Sequence, residues 1–177
     1  YEEDLTDSIM KSKVQQERMK LIIADIPSGS KVLDIGCNGG YLMERLKSKN
    51  CNVTGIEKAD NLIEICKKKG LKVLPSGTEL KGKFDYIIFG DILEHFKEDA
   101  VFLMLHNHRC LLKKDGKYII TVPYKHGNYS KQFTQAHLKD YETDDFKKMF
   151  PDKKIESTPI CFDGYAVPYW EKIVMYQ

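Results

Sequence analysis

The residues best suited to chemistry in this chain lie at positions 32–41, VLDIGCNGGY, where an apolar run with one acidic residue leads into a glycine-rich turn. The acid is Asp34, and the glycines are Gly36, Gly39 and Gly40. Because glycine has no Cβ, such a turn lets a ligand approach the backbone closely. Asp34 would repel a pyrophosphate and attract ammonium and sulfonium groups. The segment therefore predicts a binding turn for a ligand such as S-adenosylmethionine (SAM).

Further acidic side chains follow at the ends of two other predicted strands. Glu57 lies 21 positions after Gly36, a spacing at which a carboxylate can accept hydrogen bonds from both hydroxyls of a ribose. Asp91, Glu94 and His95 follow the strand FDYIIFG, at the edge where open parallel sheets bind their ligands. These positions together predict a site for a nucleotide-like cofactor.

The order of these segments resembles the motifs of class I SAM-dependent methyltransferases. The resemblance covers about residues 30–122 and rests on DIGCNGG, Glu57, FDYIIFGDILEH and LKKDGKYII. It implies a methyltransferase whose glycine-rich turn holds the methionine part of SAM, whose Glu57 holds the ribose, and whose Asp91 and Ile92 line the sulfonium side. The cofactor-binding residues that it implies are Asp34, Gly36, Cys37, Asn38, Gly39, Gly40, Glu57, Asp91 and Ile92.

Asn38 departs from the resemblance, because a glycine is usual at that position. Asn adopts left-handed backbone more readily than most residues, so we expect the turn to be kept. Asn38 and Tyr41 also break the GxGxxG pattern of dinucleotide-binding proteins. A nucleotide-cofactor oxidoreductase therefore remains only as an alternative, beside a non-catalytic SAM-binding partner module.

Two histidines are candidate catalytic residues on the acceptor side. His95 follows the fourth strand, and His137 opens HLKDYETDDF, which resembles a segment of small-molecule and sugar methyltransferases. Packing is the alternative role for both, since many methyl transfers need mainly proximity and alignment. Asp91, Glu94 and His95 also resemble part of a metal-ligand set. No second histidine motif is evident after the fifth strand, so the sequence predicts no metal.

Strands and helices alternate along the chain and must position these residues. The pattern predicts an α/β fold with a doubly wound, mostly parallel, seven-stranded Rossmann-like sheet and helices on both faces. The predicted helices are 4–25, 41–49, 60–70, 97–112 and 142–149, and the predicted strands are 31–35, 52–57, 71–75, 84–90, 117–123, 153–160 and 168–176. In the first helix, Leu5, Ile9, Val14, Leu21 and Ile22 form the predicted apolar face.

The length of 177 residues, with 42% hydrophobic and 31% charged residues, predicts a single globular domain over 1–177. Within it we expect an N-terminal helical lid at 1–27 and a substrate-side loop at 123–146. The loop is short, which favours a small-molecule or sugar acceptor over a macromolecule. The net charge of +2 does not demand a nucleic-acid partner.

The five cysteines are odd in number and show no CxxC or Cys/His spacing, which argues against a disulfide framework or a structural zinc site. A reducing cytoplasm fits them best. No apolar stretch reaches the length of a membrane span, and no signal peptide is visible. The chain begins at Tyr1 rather than Met, which indicates a trimmed chain or a domain.

Overall fold

A computed structural model describes residues 12–124, 137–161 and 170–177. The helices are α1 (Lys13–Ala24), α2 (Tyr41–Ser48), α3 (Asp60–Lys68), α4 (Glu98–His108) and α5 (Thr143–Met149). The strands are β1 (Lys31–Ile35), β2 (Asn52–Glu57), β3 (Val73–Pro75), β4 (Phe84–Gly90), β5 (Leu112–Pro123), β6 (Ile155–Ile160) and β7 (Trp170–Tyr176). Short 3₁₀ turns occupy Leu93–His95 and Arg109–Leu111.

The seven strands form one sheet in the order β3-β2-β1-β4-β5-β7-β6. The five strands from β3 to β5 are parallel, and β7 runs antiparallel to both β5 and β6. The strand order reverses between β1 and β4, so their carboxyl ends flank a crevice of the kind in which open α/β sheets bind ligands. The predicted fold class is confirmed.

The sheet is buried on both faces because its central strands are apolar at successive positions. Ile87 and Phe89 of β4 face a core that includes α4 and α5, whereas Tyr86 and Ile88 face α1 and α2. A third cluster joins α2 and α3 to the β2–β3 side of the sheet. Helices therefore cover both faces, as predicted. No helix among the described residues is both long and apolar enough to cross a bilayer.

The fifth strand begins five residues before the predicted start at position 117. Strand β5 begins at Leu112, which pairs with Phe84, and its next pair is Lys117 with Tyr86. The extra residues of β5 form a bulge, and Gly116 is needed there because an added Cβ would lie 2.9 Å from a backbone oxygen. The predicted helix 97–112 is also shorter, since α4 ends at His108 and a 3₁₀ turn follows.

The buried face of α1 is more polar than the sequence pattern predicts. Its buried residues are Gln15, Arg18, Met19 and Ile22, whereas Val14 and Leu21 are only half-buried. The remaining residues of the predicted face, Leu5 and Ile9, lie outside the described residues. A buried arginine requires a polar partner, and that partner lies at the edge of the sheet.

We expect Leu33→Ala in β1 to lower the free energy of unfolding by about 2–5 kcal/mol, because Leu33 is fully buried between two packed layers. Leu103→Ala removes the same atoms from a side chain of α4 that is 54% exposed, so its cost should stay within about 0.5 kcal/mol. Urea unfolding of both variants measures the difference. Equal losses would contradict the placement of β1 at the centre of the sheet.

Candidate functional site

The glycine-rich turn after β1 bends through three residues with positive φ. These angles are +73° at Gly36, +50° at Asn38 and +79° at Gly40. The left-handed backbone expected at Asn38 is therefore confirmed, and its side-chain Oδ1 accepts a hydrogen bond from the Gly39 amide at 2.6 Å. Asn38 keeps the turn because its short amide side chain tolerates this conformation better than most side chains.

Gly36 also lies where the β1 turn meets the segment after β4. A Cβ on Gly36 would come 2.6 Å from Cδ1 of Ile92, a distance that real contacts do not allow. The close approach places Ile92 against the glycine-rich turn. Substitution of Gly36 would both strain the backbone and push these two segments apart.

Glu57 supports the glycine-rich turn from the end of β2. Its Oε2 accepts a hydrogen bond from the Asn38 amide at 2.9 Å, and its Oε1 accepts from the amides of Lys58 at 2.8 Å and Ala59 at 3.1 Å. A carboxylate offers about four acceptor positions, so one remains for a ligand hydroxyl. A grip on two ribose hydroxyls would require one of the backbone bonds to be released.

Asp34 is the buried acid of the site, with only 3% of its surface exposed. Burial raises the pKa of Asp34 to about 7, the Arg18 guanidinium opposes that rise, and the nearby Glu57 carboxylate adds to it. A carboxyl group in this position binds a proton at neutral pH unless a cation neutralises it. The ammonium group of a bound ligand would supply that charge.

Arg18 was missed by the sequence analysis and joins α1 to the site. Its Nη1 lies 2.9 Å from Oδ2 of Asp91 and donates a hydrogen bond to the Thr121 hydroxyl at 3.0 Å. Thr121 in turn donates to Oδ1 of Asp91 at 2.9 Å. Asp91 also has a positive φ, +54°. The sequence contained a signal that Arg18 faces the core, because it lies four positions before the apolar Ile22 and therefore on the same face of the helix.

The acceptor-side candidates meet beyond the 3₁₀ turn Leu93–His95. The rings of His95 and His137 are 5.2 Å apart between centroids, and the Leu138 amide donates a 2.8 Å hydrogen bond to the Glu94 carbonyl oxygen. Burial and the neighbouring Asp91 raise the pKa of Glu94. Burial and the nearby His95 lower the pKa of His137. The structure therefore brings together two histidines that are 42 positions apart in the sequence.

Several neighbouring residues have structural roles. His106 is exposed, and His108 packs edge-on against Phe89 and lies 2.7 Å from the Met104 carbonyl oxygen through Nδ1. Lys69, which follows α3, contacts the glycine-rich turn, since its Nζ donates to the carbonyl oxygen of Gly39 at 2.9 Å. The aromatic residues of the substrate-side loop differ in their surroundings. Tyr141 is buried, and its hydroxyl donates to the Phe96 carbonyl oxygen, whereas Tyr124 is half-buried. The described residues do not include His126, Tyr129 or Phe133.

We expect Asp34→Asn to stabilise the ligand-free protein, relative to the wild type, more at pH 8 than at pH 5. The pKa of Asp34 is raised to about 7 in the folded state, so the folded protein still holds a proton that the unfolded chain has released at lower pH. The free energy of unfolding of the wild type therefore falls as the pH rises toward that pKa. The variant lacks this loss, so its free energy of unfolding relative to wild type should rise by about 2–3 kcal/mol between the two pH values. Urea unfolding measures the change.

Asp85→Asn is the matched control. Its side-chain bond with Lys113 and the Lys31 amide lower the pKa of Asp85, so this group stays ionised across the same range. Its effect on the free energy of unfolding should be equal at pH 5 and pH 8. An effect of Asp34→Asn that is likewise independent of pH would contradict the raised pKa of Asp34.

Curated relatives of this chain include methyltransferases of bacterial origin. The ubiquinone biosynthesis O-methyltransferase of Xylella fastidiosa is 32% identical over 119 residues, which cover 59% of this chain and 46% of that protein. The protein of the same name from Coxiella burnetii is 30% identical over 114 residues, which cover 56% of this chain and 47% of that protein. The chain thus spans about half the length of these relatives.

Solved structures share the fold at low sequence identity. A SAM-dependent methyltransferase from Archaeoglobus fulgidus superposes with a TM-score of 0.78 at 17% identity and covers 98% of both chains. Magnesium protoporphyrin IX methyltransferase from Synechocystis, solved with bound S-adenosylhomocysteine, gives a TM-score of 0.73 at 17% identity and covers 93% of this chain and 84% of its own.

A family model described as a methyltransferase domain matches residues 7–157, which is most of the chain. The match includes the glycine-rich turn, Glu57, the segment after β4 and the start of β6. The family predicted from the order of the motifs is thereby confirmed, and with it the dependence on SAM. The chain belongs to the class I SAM-dependent methyltransferase family.

Proposed function

We propose that this chain transfers a methyl group from SAM to a small-molecule or sugar acceptor. The observation that carries the proposal is the buried acid Asp34 beside a left-handed glycine-rich turn, with Glu57 bonded to the same turn. The curated relatives support a small acceptor, since they are named as O-methyltransferases of ubiquinone biosynthesis. SAM supplies a methyl group activated by a positively charged sulfur.

The residues after β1, β2 and β4 fit SAM in charge and shape. Asp34 offers a buried carboxylate to an ammonium group, and the turn from Gly36 to Gly40 takes left-handed conformations that glycine and asparagine tolerate best. Glu57 retains an acceptor position for a ribose hydroxyl. Asp91 is already bound to Arg18, so we propose that it lines the sulfonium side as half of an ion pair.

The acceptor is proposed to bind on the side of His95 and His137, beyond the sulfonium. The expected division into an N-terminal lid at 1–27 and a substrate-side loop at 123–146 stays part of this proposal. Its support is that α1 reaches the site through Arg18 and that the segment at His137 is hydrogen-bonded to Glu94. Both segments hold the reactants together and exclude water from them, which lowers the barrier to methyl transfer.

A cytoplasmic location is proposed on the state of the thiols. All five cysteines are free, and three of them, Cys37, Cys51 and Cys66, are buried. A reducing compartment keeps such thiols unpaired.

We expect Glu57→Ala and Gly36→Asp each to weaken SAM binding at least about tenfold. The first removes the carboxylate that orients the turn, and the second adds a side chain and a like charge beside Asp34. Isothermal titration calorimetry with SAM and with S-adenosylhomocysteine measures the change. Saturable binding of NAD without binding of SAM would overturn the proposal in favour of an oxidoreductase.

Glu64→Ala is the matched control, because Glu64 is an exposed glutamate of α3 that pairs with Lys67 on the same helix. Its affinity for SAM should equal that of the wild type. Transfer of a labelled methyl group from SAM to a panel of phenols, amines and sugars then separates an enzyme from a non-catalytic SAM-binding module, for which no acceptor in any class would be methylated.

A further inference from the structure

We propose that Glu94, His95 and His137, here called the acceptor-side cluster, bind a divalent transition-metal ion. The sequence predicted no metal because a second histidine motif was not evident after the fifth strand. The fold supplies a second histidine, because His137, which follows β5 in the chain, lies beside the 3₁₀ turn that carries Glu94 and His95.

The spacing of the cluster suits one ion. A ligand atom of each residue, an imidazole nitrogen or a carboxylate oxygen, lies within 4.8 Å of those of the other two. Ligand atoms that are 2.0–2.2 Å from a common metal ion are about 3–3.6 Å apart, so small side-chain rotations would complete the site. His95 is exposed and can make the largest of these rotations.

Two atoms of the cluster are buried and have no hydrogen-bond partner among the residues that the structure describes. These are Oε2 of Glu94, a residue only 1% exposed, and Nδ1 of His137, whose side chain is 7% exposed. Buried polar atoms in native proteins are nearly always partnered, because an unpartnered one loses its hydrogen bonds to water without replacement. Asp140 does not provide the missing partner of His137, because its Oδ1 lies 3.8 Å from Nδ1 of His137, too far for a hydrogen bond. A bound cation would satisfy both atoms.

The backbone holds the cluster together independently of any ion. The amide of Leu138, next to His137, donates to the Glu94 carbonyl oxygen at 2.8 Å, and the hydroxyl of Tyr141 donates to the Phe96 carbonyl oxygen at 3.0 Å. Both bonds tie the segment after β5 to the turn after β4. The ligand positions are therefore set by the fold, as metal affinity requires.

The donor set indicates which ions would bind and what they would do. Two imidazoles and one carboxylate suit Zn²⁺, Mn²⁺, Fe²⁺ or Co²⁺ rather than Ca²⁺ or Mg²⁺, which prefer oxygen ligands. Three protein ligands leave coordination positions open, as in catalytic rather than structural sites. Glu94 lies in the 3₁₀ turn three residues after Asp91, so the cluster adjoins the proposed sulfonium side.

This location, which rests on the proposed function, suits an acceptor that carries a hydroxyl group. An acceptor hydroxyl bound at an open position would lose its proton to water, because a metal ion lowers the pKa of a bound hydroxyl. Its oxygen then attacks the methyl carbon while the bond between that carbon and the sulfonium sulfur breaks. The products are a methyl ether and S-adenosylhomocysteine, whose sulfur is neutral.

Titration of the chelator-treated protein with Co²⁺, followed by visible absorption, tests the site. We expect one equivalent to bind with a d–d band and without a thiolate charge-transfer band. His95→Asn and His137→Asn should each weaken binding at least about tenfold, whereas His106→Asn, which changes an exposed histidine of α4, should not. No saturable binding, a thiolate band, or unchanged affinity in both cluster variants would overturn the proposal.

Two further measurements distinguish a loss of metal binding from a loss of fold, and test whether a bound metal ion can take an oxygen ligand. Because His95 is exposed, its variant should keep the wild-type circular dichroism spectrum and SAM affinity, which shows that a loss of Co²⁺ binding is not a loss of fold. Acetohydroxamate, a chelating oxygen ligand, should shift the Co²⁺ band, and an unshifted band would exclude the acceptor-binding role. SAM binding without Co²⁺ binding defeats only this inference, and Co²⁺ binding without SAM binding defeats only the proposed function.

Discussion

The site depends on the burial of carboxyl groups that the sheet brings to one edge. Asp34, Glu57 and Asp91 lie at the carboxyl ends of three neighbouring parallel strands, and Glu94 lies one turn further. Water would screen such charges at a surface, but here several are buried and interact strongly. Each carboxyl group must therefore find a cation, a set of backbone amides or a proton.

The protein answers this constraint in a different way for each acid. Glu57 is stabilised by three backbone amides, and Asp91 by the guanidinium of Arg18. Asp34 and Glu94 have no comparable partner among the described residues, and burial raises the pKa of both. The two unneutralised acids mark the two places where a positively charged ligand would gain most, the ammonium of SAM at Asp34 and a metal ion at Glu94.

The same constraint explains why α1 belongs to the site. Arg18 can neutralise Asp91 only if the helix packs against the sheet, and Met19 and Ile22 bury apolar surface on its face. At the C-terminal end of the helix, Lys172 of β7 donates to Asp25 at 2.7 Å and to the Leu21 carbonyl oxygen at 3.2 Å. In the proposed function, cofactor binding at Asp91 would thus be coupled through charge to the docking of the N-terminal helix.

The sequence alone determined the strand–helix order, the glycine-rich turn, the position of Glu57 and the family, because these follow from local composition and from spacing along the chain. It also indicated that Asn38 would take a left-handed conformation. Only the tertiary structure decided the partner of Asp91, the bulge at Gly116 and the meeting of His137 with Glu94 and His95. Such contacts join residues far apart in sequence, and periodicity carries no information about which long-range neighbours the sheet edge brings together.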